Sequence, residues 1–148
     1  MTQVPPPLPG GHLERLPPQA VDVEQAVLGA MMLNDEGCER GLQDLRREQF
    51  YSVPHGIIYD AMAQLYDRNI RIDQLTLTEE LRRAGRLEEV GGVVYIAELA
   101  MQVATAANIT HHAAIVSNKA VCRSVIEAGA AMSERAFAES DADTGVLL

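Results

Sequence analysis

The sequence predicts an all-α fold. Three features carry that prediction: an aliphatic composition poor in aromatics, a succession of helix start and stop signals, and a long proline-free stretch near the C-terminus. At 148 residues the chain has one domain's length, enough for a single buried core. It is 47% hydrophobic and 22% charged, an ordinary balance for a globular protein. Aromatics make up only 4%, with no Trp, so Ala, Leu, Val, Ile and Met must build the core, which favours helix over sheet.

The helices can be read in order. Residues 1–18 hold Pro5, Pro6, Pro7, Pro9, Pro17 and Pro18 with Gly10-Gly11, and they read as a flexible or extended arm. Asp22-x-x-Gln25 is a capping-box variant that opens the first helix. Val23, Val27, Ala30 and Met31 follow at helical spacing, with Leu28 and Met32 widening the stripe enough to make this helix central. Asn34 or Asp35 starts a second helix, carried by Cys38, Leu42 and Leu45. Ser52 caps a third, with Pro54 tolerated in its first turn, an inner face of Ile57 or Ile58, Ala61, Met62 and Leu65, and Asn69 as its left-handed stop.

A fourth helix has two rival starts, Asp73 and the box Thr76-x-x-Glu79. Its stripe is Leu77, Leu81 and Ala84, and Gly85 is its stop. Gly91-Gly92 opens a fifth, with Val93, Ile96, Leu99 and Ala100 inward. Thr105 then caps a helix running from 106 to about 138, interrupted only by Gly129 and roughly 50 Å long. A helix of that length cannot bury itself against a head of this size, so most of it should project. Two apolar rows run along it: Ala114, Val121, Val125, Ala128 and Met132, and Ile115, Cys122, Ile126 and Gly129. Asp143 or Thr144 is a credible further N-cap before the terminal Val146-Leu147-Leu148. The end therefore reads as an unfinished element, completed most naturally by a returning helix that makes a hairpin.

Charge and motifs exclude more than they assign. The net charge is −9, with eleven Arg and a single Lys, Lys119, scattered among acidic neighbours. Nucleic-acid affinity needs clustered cations to neutralise phosphates, so direct DNA binding is not expected. Lys119 lies mid-helix without glycines, so no phosphate-cradling loop forms around it. His111 and His112 point about 100° apart on a helix and cannot chelate one metal together. His55 reads as a packing or capping residue rather than a base. Glu79-Glu80 and Glu88-Glu89 read as first-turn charges that suit a helix dipole. Cys38 and Cys122 read as two small buried hydrophobes. The first twenty residues lack a basic start and an apolar core, and the run 26–33 is too short to span a bilayer, so the chain reads as cytoplasmic. No nucleophile–base pair emerges, so the residues present are expected to form no enzyme and to hold no cofactor or metal.

An ordered set of blocks from Leu16 onward resembles the N-terminal domain of the DnaB-type helicase family. Leu16-Pro17-Pro18 and Glu24-Gln25-Ala26-Val27-Leu28-Gly29 resemble its opening; Phe50-Tyr51, His55 and Ile58-Tyr59 resemble its second block. Asp73-x-x-Thr76-Leu77 with Leu81, then Leu87-Glu88-Glu89-Val90-Gly91-Gly92-x-x-Tyr95-Ile96-x-x-Leu99, form the most specific stretch. Ala106-Ala107-Asn108-Ile109 with Ile115-Val116 complete the series.

The resemblance implies a compact six-helix head over 19–104, then a hairpin whose first helix and truncated second arm fill 105–148. It implies a collar that pairs with copies of itself in a hexamer and docks primase, with a helicase loader as a further partner. ATP and Mg2+ belong to a motor domain that these residues do not include. By position, Tyr95, Ile126 and Met132 match places where the family contacts primase, and hairpin pairing is the competing use of the same residues. His111-His112 stand where relatives often carry aromatics. The alternative is a free-standing all-α adaptor or oligomerisation protein, which a downstream Walker A motif in the reading frame would exclude.

Overall fold

The computed structural model describes residues 15–102 and 108–141. The proline arm up to residue 14, the Thr105 cap, the 106 start of the long helix and the Asp143 or Thr144 turn lie outside the described residues. Six α-helices follow one another: α1 Val21–Leu33, α2 Asp35–Asp44, α3 Val53–Asp67, α4 Gln74–Arg83, α5 Gly92–Ala100 and α6 Ile109–Ser140. A 3-10 turn, Arg47–Gln49, joins α2 to α3, and there is no strand among the described residues. The all-α prediction holds. Five helices and the 3-10 turn make a head of six helical segments, and the first turns of α6 close it.

α1 is the central helix and touches α2, α3, α5 and α6. Its apolar residues reach almost all round, with Val27, Leu28, Ala30 and Met31 at most 1% exposed. Ile58 and Met62 of α3, Leu77 and Leu81 of α4, and Ile96 and Leu99 of α5 complete the core with Ile109 and Val116 of α6. Each fully buried aliphatic side chain of this kind contributes about 1.5–3 kcal/mol. Two close approaches need glycine. A Cβ at Gly29 would stand 2.8 Å from the Leu99 carbonyl oxygen, so only glycine lets α1 meet the end of α5. At Gly91, φ is 109°, the left-handed region that side chains avoid.

Several start and stop signals act as predicted, and others yield to tertiary contacts. The Asn34 side chain accepts from the Gly37 amide at 2.7 Å and opens α2. Of the two rivals for α4, Asp73 prevails: its carboxylate accepts from the Thr76 amide at 2.8 Å, and the Thr76 hydroxyl accepts from the Asp73 amide at 3.0 Å. Asn69 stops α3 at φ 56° and Gly85 follows α4 at φ 70°. The Asp22 box does not form, because Ala20 is the N-cap of α1 and Gln25 turns to Tyr95 instead. Ser52 holds the N-cap position of α3, but its side chain caps nothing.

Further corrections concern burial. Val93 and Ala100 are exposed, since the short α5 presents only Ile96 and Leu99 squarely to the core. Cys122 is exposed, while Cys38 is buried. Burial, then Asp35 and Glu39, push the Cys38 thiol up to about 11, so it stays protonated at neutral pH. Glu79 and Glu80 lie midway along α4 rather than in its first turn. Glu80 is buried and accepts from Arg68 beyond the end of α3 and from Arg83 of α4. Burial works to raise its carboxyl, but the hydrogen bonds from the two arginines outweigh it and hold the group below the usual range. No helix among the described residues is long and apolar enough to cross a membrane.

Candidate functional site

A buried polar chain ties three helices together. α1 supplies Glu24 and Gln25, α3 supplies His55 and α5 supplies Tyr95; Glu24 and His55 are each 1% exposed. The Glu24 carboxylate accepts from the Tyr51 amide at 2.8 Å, from the Ser52 amide at 3.2 Å and from His55 Nδ1 at 2.8 Å. Both its oxygens already serve as acceptors for backbone amides, so Nδ1 carries the ring proton. Nε2 then accepts from the Tyr95 hydroxyl at 2.5 Å, and that hydroxyl accepts from Gln25 Nε2 at 3.2 Å. The two rings stack, with centroids 6.0 Å apart. Glu24, reaching across from α1, thus anchors the two residues that lead into α3, and no side chain takes the N-cap role expected of Ser52.

Carboxylate, imidazole and hydroxyl in a row resemble a nucleophilic triad in order only. Burial pushes the Tyr95 hydroxyl up against the opposing effect of Gln25, with Glu98 and Glu24 adding to the rise, so it is a neutral donor at physiological pH and not a nucleophile. His55 is fully used by its two partners. The arrangement holds α1, α3 and α5 in register, as the packing role expected of His55 requires.

A second cluster seats the long helix. Arg123, two turns beyond the buried Val116, donates from Nη1 to the Pro18 carbonyl and from Nη2 to the Gln49 carbonyl, both at 2.8 Å. Its guanidinium lies 5.5 Å from the centroid of the Tyr51 ring, a cation–π distance. Gln49 returns a hydrogen bond to the Ser117 hydroxyl at 3.1 Å. These contacts fix the angle at which α6 leaves the head.

Beyond that seat α6 stands clear. Ile109, Ala113 and Val116 face the head and are buried, whereas Val121, Val125, Ile126 and Met132 are 57%, 66%, 51% and 68% exposed. At about 100° per residue, Ala114, Val121, Val125, Ala128 and Met132 fall on the side opposite the buried residues. Ile115, Cys122, Ile126 and Gly129 widen that side. Lys119, Arg123, Glu127 and Glu134 fall on the head side or its flanks, so the outer face carries no charge between Ala114 and Met132. A stripe using positions equivalent to a, b, d and e of a heptad is broader than a two-stranded seam requires and suits a helix within a bundle.

Two of the three residues singled out from sequence share this element, and the third does not. Ile126 and Met132 project from α6 about 120° apart, on adjoining flanks of the broad stripe rather than one narrow line. Tyr95 is half-buried on α5. Its hydroxyl turns inward to His55, and its ring borders an open cleft of about 500 Å³ shared with Gln25, Glu98, Leu99, Met101 and Gln102. His111 is exposed and His112 half-buried, with ring centroids 6.1 Å apart. Among the described residues no cluster of three potential ligands exists that could hold a metal ion. Sequence reading missed Glu24, Arg123 and Tyr51 as organising residues. The one signal available for Glu24 was a carboxylate inside an otherwise apolar stripe.

The DnaB-like helicase N terminal domain family model matches residues 16–118. The chain is 46% identical over 123 residues to the replicative DNA helicase DnaB of Rhodothermus marinus, covering 83% of this chain and 13% of that protein. It is 40% identical over 135 residues to the replicative DNA helicase DnaB of Geobacillus stearothermophilus, covering 91% of this chain and 30% of that protein. The chain therefore spans less than a third of either relative. Its fold is similar to the crystal structure of the N-terminal domain of DnaB helicase from Mycobacterium tuberculosis, with a TM-score of 0.82 and 38% identity, covering 86% of this chain and 91% of that one.

Proposed function

The chain belongs to the DnaB-like helicase N-terminal domain family, and from that premise we propose that it is the assembly and docking module of a replicative DNA helicase. It pairs with copies of itself in a ring and presents a landing surface to primase, with a helicase loader as a further partner. ATP and Mg2+ serve a motor domain that these residues do not contain, and the whole protein works in the cytoplasm.

One observation carries this reading: the outer face of α6 is lined by apolar residues around the amide of Asn118, free of charge from Ala114 to Met132 and turned away from the head that α6 is rooted in. The head already has a closed core, so this face serves contacts with other helices. A patch of a few hundred Å² is about the largest that monomeric proteins tolerate without such a use. The acidic charge of the chain, −9, argues for protein rather than nucleic-acid partners. Ile126 and Met132 are accessible docking residues. Tyr95 reaches a partner only by its ring edge in the cleft beside α5.

The test replaces the N-terminal domain of the Geobacillus stearothermophilus helicase with this chain and measures ring mass and primase affinity. Hexameric rings that bind primase are expected. Ile126→Ala and Met132→Ala should each weaken primase binding roughly five- to thirty-fold, the effect of losing about 1–2 kcal/mol of contact, with ring mass unchanged. Intact rings with undiminished affinity in both variants reject the docking assignment, and failure to form rings rejects the scaffold role.

A further inference from the structure

The buried chain of hydrogen bonds and the seat of α6 share a residue. Tyr51 donates its amide to Glu24 at 2.8 Å, while its ring lies under the Arg123 guanidinium at 5.5 Å. The neighbouring Gln49 accepts from Arg123 through its carbonyl and donates to Ser117 through its side chain. A continuous set of contacts therefore runs from Tyr95 on α5 through His55 and Glu24 to residues 49–52, and on to two successive turns of α6. We propose that Tyr95 is a positioning residue for the projecting helix: its hydroxyl holds His55 and Glu24, Glu24 holds the 49–52 segment, and that segment sets how firmly α6 is rooted.

The physical reason lies in how little freedom each member has. His55 can satisfy both ring nitrogens only with Glu24 on one side and the Tyr95 hydroxyl on the other. Glu24 is the acceptor for two consecutive backbone amides that no side-chain cap serves. A buried group that loses its partner costs more than the bond contributed, so a loosened Tyr95 shifts strain toward Glu24 rather than being absorbed locally. At the other end Arg123 spans Pro18 and Gln49, and movement of the 49–52 segment alters both its hydrogen bond and its ring contact. The cleft bordered by the Tyr95 ring thus communicates with the helix that carries the outer apolar face. This coupling is a property of the head and holds whatever that face docks.

Amide hydrogen exchange on the 148-residue chain tests it, comparing wild type with Tyr95→Phe, which deletes only the hydroxyl. The expected result is faster exchange at Tyr51, at Ser52 and across 117–123 by about three- to tenfold, the factor that matches one net hydrogen bond. α4, which contributes nothing to the relay, should keep its protection. In an Arg123→Gln, Ser117→Ala background the same substitution should still affect Tyr51 and Ser52 but add nothing across 117–123, because both links to α6 are then cut. Acceleration confined to α5 and His55 overturns the proposal, and so does uniform acceleration that includes α4, the pattern of general destabilisation. Glu24→Gln, which keeps the shape of the side chain, provides a second entry into the same relay and should reproduce the wild-type-background pattern.

Discussion

At the scale of single residues, the molecule concentrates its polar cost in a few buried groups. Glu24 serves two backbone amides and His55, so Glu24→Ala leaves one buried and two partly buried donors without an acceptor. The expected loss is about 3–5 kcal/mol, read as a lower urea midpoint with an unchanged slope. Gly91→Ala should cost about 1–3 kcal/mol by a different route, since φ is 109° there and the added methyl would come 2.8 Å from the Tyr95 Cβ. Gly91 was legible as a turn glycine because glycine pairs before an apolar run carry that meaning. Glu24 was legible only as an anomaly within an apolar stripe. Its partners Tyr51, Ser52 and His55 lie 27 to 31 residues away, and pairing over that separation leaves no local pattern. The Tyr95 ring borders the open cleft beside α5, and the inward direction of its hydroxyl depends on His55, which periodicity does not see.

At the scale of elements, α4 is the clearest case of a helix specified by its own sequence. Asp73 and Thr76 exchange hydrogen bonds across its first turn, and Asp73→Ala should lower stability by about 1 kcal/mol. Its middle is held by Glu80 between Arg68 and Arg83. That carboxyl is held below its usual range, so the stability it contributes is complete above the ordinary carboxylate pKa. It is lost as pH falls through the lowered folded value. Acid titration of the melting temperature should therefore show a drop below about pH 4 that Glu80→Gln flattens; identical acid limbs in the two proteins would contradict the assignment. Boundaries marked by local chemistry, at Asn34, Asp73, Gly85 and Gly91, were readable. The start at Ser52 was readable too, although no side chain caps it; the start at Ala20 was not, because only its backbone carbonyl, accepting from Val23 and Glu24, marks it.

At the scale of the whole molecule, α6 divides into a rooted part and a free part, with Arg123 at the boundary. The division was legible in outline, because a helix of that length exceeds what the head can cover. Its seat was not, since Arg123 reads as an ordinary surface charge until Pro18, Gln49 and Tyr51 are brought beneath it. On the proposed function, the outer face of α6 serves contacts with other helices and contributes nothing to the fold of the head. Sedimentation equilibrium of the chain beside a Val121→Glu, Val125→Glu variant tests it most directly, with thermal melts of both. The wild type should associate weakly, in a manner that grows with concentration over the micromolar range, while the variant stays monomeric and melts within about 2–4 °C of it, as two surface substitutions allow. A wild type that is monomeric throughout, or a variant whose head loses its cooperative melt, would contradict the claim.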